Sequence, residues 1–358
     1  MTFKAEIPYG AYWSTAFVRW QGSFAHLHSV FGIEASEMRL TLRQACAVLI
    51  CLLAVSAWAQ SYPSRPITFI VPFSAGTGID LIARGLGAKL AERWKIGVVI
   101  DNRAGASSNI GTEMVARATP DGYMLLMTAA ALATNPAVNS NIRYDPIRSF
   151  APIVLLATGI QSVVVSADTP ARSIKELVAL AKEQPGKLFY GSPGNGTAHH
   201  LATELFKLET GADIVHVPYK GSAGAINDLA GGRLNMMIMP VSAAAQYVHN
   251  RRITVLAVIS PERAPVFPSV PTLEEEGYPK VQASSWYAML APAGTPSEIV
   301  WRLNSETNLL LSDASVRDTL TKQGVTPAGG TPEQLSFYLK AELERWQRVA
   351  AEAKIKAD

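Results

Sequence analysis

The sequence predicts an α/β protein of two lobes with mixed, mostly parallel sheets. Short β-branched runs alternate with helical stretches, the grammar of strands covered by helices. At 358 residues the chain is long enough for two cores rather than one. Small-residue loops also follow several strands, where open α/β sheets bind ligands.

The first lobe begins with Ile67-Thr-Phe-Ile-Val71 as a strand, a turn over Pro72 to Gly78, and a helix from Asp80 to about Arg93. Val98-Val-Ile100 is the next strand, followed by the loop Asp101 to Gly111 and a helix through Ala118, and Tyr123 to Met127 is the third strand. In the second lobe Ser162 to Val165, Lys187 to Tyr190, Ile214 to Val217, Leu234 to Met239 and Ile253 to Ile259 read as strands, and Ser173 to Gln184 as a helix. Another helix follows Thr197 and runs to about Thr210. Ser284 to Ala291 reads as a strand returning to the first lobe, because the tail from Pro296 is almost wholly helical and needs a sheet to cover. These boundaries give lobe 1 as 60–160 plus 282–358 and lobe 2 as 161–281. Two crossings leave a hinged cleft.

Hydrophobic residues make up 48% and charged residues 17%, and the net charge of +3 offers no field that favours nucleic acid. From Met38 the chain reads as a charged segment, an apolar run over Ala45 to Val55, and Ala57-Trp-Ala59, the order of a secretory signal peptide over 38–59 cleaved after about Ala59. The apolar run is shorter than the roughly 20 residues of a membrane-spanning helix. Residues 1–37 read as an over-extended start. Cleavage removes Cys46 and Cys51, so neither disulfide nor thiol chemistry is expected of an exported, periplasmic chain.

Three Gly-rich turns are candidate anion sites: Phe73 to Asp80, Ala104 to Gly111, and Gly191 to Thr197. Glycine admits close backbone approach, and the first N–H groups of each following helix are unpaired at the positive end of its dipole. Plain turn-making is the alternative for any one of them. Gly76-Thr-Gly78 lacks the third glycine of a dinucleotide fingerprint, and no loop holds the Gly-Lys-Ser/Thr of a phosphate-binding loop. Asp80 suits a helix cap. His199 and His200 open a helix with Glu204 one turn after His200, which superficially resembles metal-ligand spacing, but without cysteine or another obvious ligand elsewhere no metal or cofactor is expected. The duller reading points one histidine into the cleft and leaves the other exposed. Ser192 with His200 keeps a hydrolase in view, although Gly191-Ser-Pro-Gly is not a nucleophile elbow. Tyr219 and Lys220 follow a strand at a loop, where either side chain reaches a carboxylate or packs blandly.

At these same residues the chain resembles the Bug family, the periplasmic receptors of tripartite tricarboxylate transporters. The resemblance runs through Tyr62-Pro-Ser-Arg-Pro-Ile, Val71-Pro-Phe-Ser-Ala-Gly, Asp101-Asn-Arg-Ala-Gly-Ala, Pro120-Asp-Gly-Tyr, Gly194-Asn-Gly-Thr, His216-Val-Pro-Tyr-Lys-Gly and Leu290-Ala-Pro-Ala-Gly-Thr-Pro. It implies a type II binding-protein fold that closes like a Venus flytrap on a small carboxylate. It also implies hand-over to membrane subunits of a transporter and no catalysis, and a monomer is expected. Carried over position by position, it implies Phe73, Ala75, Gly76, Thr77 and Asp80 as carboxylate-holding residues, with Asn109, Thr128, Ser192, Thr197, His200 and Tyr219 as walls. Met239 stands where relatives commonly carry Asp, which argues for a more apolar cleft and away from amino-acid ligands. Met239, Trp286 and Tyr287 are expected to tune specificity where they face the cleft.

Overall fold

The computed structural model describes residues 62–219 and 221–355. The start at Met38, the signal peptide, both cysteines and Lys220 lie outside the described residues.

The first lobe runs β1 (Ile67–Val71), α1 (Gly78–Trp94), β2 (Val98–Asn102), a 3-10 turn (Ala106–Ser108), α2 (Asn109–Ala116), β3 (Met124–Ala129), α3 (Ala131–Val138) and β4 (Phe150–Gly159). The second runs β5 (Gln161–Ser166), α4 (Ile174–Glu183), β6 (Leu188–Ser192), α5 (Ala198–Thr210), β7 (Ile214–Pro218), α6 (Ser222–Ala230), β8 (Met236–Pro240), α7 (Val241–Val248) and β9 (Ile253–Ile259). The chain then returns through β10 (Ser285–Pro292), α8 (Ser297–Ser312), α9 (Ala314–Lys322), β11 (Thr326–Gly329) and α10 (Pro332–Glu352).

One sheet has six strands in the order β11-β4-β10-β3-β1-β2, the other five in the order β7-β6-β8-β5-β9. The chain passes between them at Ile160 and again over 260–284. Parallel pairing joins β1 with β2 and β3, and β6 with β7 and β8. Around the crossings the pairing is antiparallel, in β10 with β3 and β4, β11 with β4, and β5 with β8 and β9. Both sheets are therefore mixed, because a strand that has just changed sheets enters from the opposite end.

β4 and β11 are additions to the strands legible in sequence. β4 does not alternate, since its inner residues are covered on both faces (Ile153, Val154, Leu156, Ala157), and Pro152 interrupts it. Proline is tolerated there because the pairing with β10 shifts register between Met289 and Leu290, opposite Pro152. Helix starts follow local chemistry. Ser173 caps α4 by accepting from the Glu176 N–H, and Thr331 with Gln334 forms a reciprocal capping box ahead of Pro332 in α10.

A single apolar core joins the lobes, running from Ile70 and Leu126 through Leu201, Leu205 and Phe206 to Trp286, Leu339 and Trp346. Its polar centre is Glu342, buried on α10. The carboxylate accepts the indole N–H of Trp286 at 2.9 Å and of Trp346 at 3.1 Å, and pairs with Arg345. Trp286 stands at the start of the returning strand, so this carboxylate ties the second crossing to the C-terminal helix. Replacing Glu342 by Leu leaves two buried indole donors unpaired and the Arg345 guanidinium with Gln282 as its remaining partner. The expected loss is about 3–5 kcal/mol, read as a lower urea midpoint at constant m-value.

Candidate functional site

Because β1, β2 and β3 are parallel neighbours, the loops after them emerge on one edge of the first sheet, and those after β6 and β7 on one edge of the second. Two of these loops are built alike. In the first, Gly76 (φ 83°) precedes Thr77, the N-cap of α1, and the Gly76 N–H donates forward to Asp80 Oδ2 at 2.8 Å. In the second, Gly196 (φ 70°) precedes Thr197, the N-cap of α5, and the Gly196 N–H donates forward to His200 Nδ1 at 3.0 Å. The threonine hydroxyls donate to Ser74 O and Gly194 O, both at 2.8 Å. Positive φ at both glycines lets the turn bring its N–H back over the helix. The N–H groups of Gly78 and Ile79 in α1, and of Ala198 and His199 in α5, are left without a hydrogen bond among the described residues.

Asp80 is thus not the cap but the third helical residue, reaching back. It is buried, and burial alone would raise its pKa. Hydrogen bonds from Arg84 Nε (3.0 Å), the Gly76 N–H and Asn102 Nδ2 (2.9 Å to Oδ1) outweigh burial and hold the carboxyl below its ordinary range. Asn102 also donates to Phe73 O at 3.1 Å, fixing the start of the loop. Phe73 and Thr77 are half-buried, while Ala75 and Gly76 are exposed.

The loop after β2 takes a costlier form. Ala106, Ser107 and Ser108 all have positive φ (45°, 54° and 78°), a conformation that costs roughly 1–2 kcal/mol for each non-glycine residue. Asn135 on α3 holds it, donating to Ser107 O at 2.5 Å and to Asn109 Oδ1 at 3.0 Å, and Tyr144 donates to Asn109 Oδ1 at 2.7 Å. The same helix receives the second lobe: a Cβ on Gly196 would come within 2.6 Å of Val138 Cγ2. The loops of both lobes therefore meet at α3. Thr128 is fully buried at the end of β3 with an unpartnered hydroxyl.

In the second lobe Ser192 is fully buried, and its hydroxyl bonds His216 Nε2 (2.6 Å), Gly194 O (3.0 Å) and the Gly194 N–H (3.1 Å). The pairing of Ser192 with His200 that a hydrolase would use does not form, because His200 Nδ1 is occupied by the Gly196 N–H. The two imidazoles stack at 3.9 Å, and Tyr190 stacks on His216 at 4.7 Å while donating to Glu204 Oε1 at 2.5 Å. Glu204 also pairs with Lys207 at 2.8 Å, so the helix positions that suggested metal ligation serve this network. His200, expected to line the cleft, is buried under the turn. The half-buried neighbour, His199, has no side-chain hydrogen bond among the described residues. Tyr219 turns its hydroxyl away to Asp228 Oδ2 (2.6 Å), which Arg233 clamps. Met239 is likewise core, packed with Val164, Ala225 and Leu229, and forms no wall.

Asn102, Asn135, Tyr144 and His216 were not singled out by sequence reasoning. Asn135 carried the one available signal, a poor helix former inside a helical stretch.

The sequence profile described as the tripartite tricarboxylate transporter family receptor matches residues 82–355. The chain belongs to this family. A protein of the tcbD-tcbE intergenic region of Pseudomonas sp. (strain P51) is 40% identical over 300 residues, covering 84% of this chain and 89% of that one. Protein BugT of Bordetella pertussis is 36% identical over 308 residues, covering 85% and 94%. Among solved structures, an R. palustris protein with adipate superposes with a TM-score of 0.74 at 37% identity, covering 83% of this chain and 99% of that one. The family is one of periplasmic solute-binding receptors with two lobes, and this chain has that architecture.

Burial, and for His216 also the neighbouring His200, pushes the imidazoles of His200 and His216 down to about 4. Their folded pKa values lie below the unfolded value of about 6.5, so the stability they contribute is complete above that value and is lost as pH falls towards 4. Thermal unfolding from pH 7 to 4 is expected to show this loss, and a His200→Gln variant a shallower one over the same window.

Proposed function

We propose that the receptor closes its lobes on one small carboxylate, held chiefly by backbone N–H groups rather than by a basic side chain. The observation that carries this reading is the pair of matching turns. Each spends its own side chains on its own loop and leaves the first N–H groups of α1 and α5 free at the positive ends of their helices. The similarity to a protein solved with adipate supports a carboxylate as the ligand.

In this reading Phe73, Ala75, Gly76, Thr77 and Asp80 form the first wall and Asn109 and Thr128 its flank. Ser192, Thr197, His200 and Tyr219 form the second wall. Asp80, Ser192, His200 and Tyr219 act by shaping backbone, since their polar atoms are engaged within the protein. The lobes are 60–160 plus 282–358 and 161–281, a division supported by the crossings at Ile160 and 260–284. The chain starts at Met38, loses 38–59 on export, works as a monomer without catalysis, and delivers its ligand to membrane subunits of a tripartite transporter. The buried state of Ser192 supports a binding role over hydrolysis.

Protein beginning at Gln60 should show a large thermal shift with one class among mono-, di- and tricarboxylates, aromatic acids and amino acids. A ligand at 100 times its Kd adds about 2.7 kcal/mol. No shift across the panel, or turnover of any member, would overturn the receptor reading. A second outcome follows from the loop chemistry. Asp80→Ala releases Gly76, Arg84 and Asn102 together, and should weaken carboxylate binding by at least about tenfold in titration calorimetry although Asp80 itself is not a ligand group.

A further inference from the structure

Gly78 opens α1 with an ordinary negative φ, so nothing in its backbone requires glycine. The constraint is the neighbouring side chain. A Cβ at this position would lie 2.7 Å from the hydroxyl oxygen of Tyr287, closer than real Cβ atoms approach, and 3.3 Å from Cζ, so a side chain here would push the phenol aside. Tyr287 belongs to β10, the strand that returns from the second crossing, where it sits opposite Ala129 at the end of β3. Its ring is half-buried and its hydroxyl has no hydrogen-bond partner among the described residues. Burial holds the phenol above its ordinary pKa, so it stays a protonated donor at neutral pH.

We propose that Tyr287 is the specificity-determining side chain of the carboxylate site, donating its phenolic O–H to the ligand oxygen beside the first turn of α1. This inference rests on the carboxylate reading above. The oxygen of the phenol lies against the start of a helix whose N–H groups of Gly78 and Ile79 are donors without partners. The phenolic O–H is itself without a partner among the described residues, and an unpaired O–H at a half-buried place is completed by an acceptor. The two amides can only donate, and the phenol adds a third donor. The set meets a carboxylate, whose oxygens are all acceptors, at each oxygen, whereas a carboxamide or an ammonium turns N–H groups towards the two amides and leaves them unpaired. Glycine at 78 is the counterpart of this choice, because any side chain there would displace the ring.

The test compares the protein with Tyr287→Phe, which keeps the ring and its packing, in calorimetric titrations with adipate, succinate and malate and with their monoamides. The carboxylate that binds the unaltered protein should bind the variant about ten- to a hundredfold more weakly, the range expected for one hydrogen bond to a charged group. The ratio of diacid to monoamide affinity should shrink with it. A Gly78→Ala variant, which pushes the phenol aside, should move in the same direction. Equal diacid affinity, or an unchanged diacid-to-monoamide ratio, in Tyr287→Phe overturns this role while leaving the receptor reading intact. Where none of the three diacids binds, the acid that shifts the unaltered protein in the thermal panel and its amide take their place, and failure of every acid in that panel overturns the carboxylate reading and the tyrosine's role with it.

Discussion

A buried carboxylate at the third position of α1 is the constraint around which the binding edge of the first lobe is arranged. Asp80 gathers Gly76, Arg84 and Asn102, and through Asn102 it reaches Phe73, so the turn, the first helix and the end of β2 are fixed by one group. Removing one partner from a buried charge costs more than the pair is worth, which makes such a centre strongly specifying. Its second effect is electrostatic. Asp80 is neutralised by Arg84 and by dipoles behind the loop, so the positive end of α1 remains available to an anion from the cleft.

The second lobe solves the same problem with a neutral acceptor. Gly196, Thr197 and His200 occupy the places of Gly76, Thr77 and Asp80, with matching threonine bonds to the carbonyl three residues before. An imidazole serves only while its Nδ1 carries no proton. The stacked pair of His200 and His216, with Tyr190 beneath, supplies the burial that keeps it so. The lobes are therefore alike in geometry and unlike in response to acid. Protonation forces His200 to release Gly196, whereas the Asp80 turn keeps its acceptor well into the acid range.

Much of this was legible in the sequence because it is local. The strands that feed helices announce themselves by β-branched runs, and the turns by glycine followed by threonine. β4 escaped because a strand covered on both faces has no alternation to read, and because Pro152 looks like an interruption until its partner's shifted register is known. Mixed sheets are expected from the sequence, but not that antiparallel pairings outnumber parallel ones among the described residues, because direction in a sheet is set by where the chain crosses, which is a property of topology. The Gly-rich turns stand where the sequence puts them, while the polar atoms of several side chains expected at the cleft turn inward. His200, Ser192 and Tyr219 are polar and near the cleft, so a ligand role is the natural reading. Yet each finds its hydrogen bonds in segments distant in sequence or within its own turn, and Met239 packs inward on a strand whose every residue from Met236 to Met239 is buried. Which way a polar group on a loop turns depends on what else is unsatisfied nearby, and composition does not carry that.

The remaining cost falls on the loop after β2. Three successive left-handed residues without glycine are an expense that a turn alone would avoid, and Asn135 holds them in place from α3. α3 is also where Gly196 of the second lobe makes its close contact with Val138. The Asn135 bonds lie wholly within the first lobe, so the shape of the loop after β2 does not depend on the Val138 contact with the second. In the proposed receptor, parting of the lobes would therefore cost the Val138 contact and leave the first wall formed. Ligand binding that began on a formed wall would need no reorganisation of the Asp80 turn, which keeps the ordering cost of binding low.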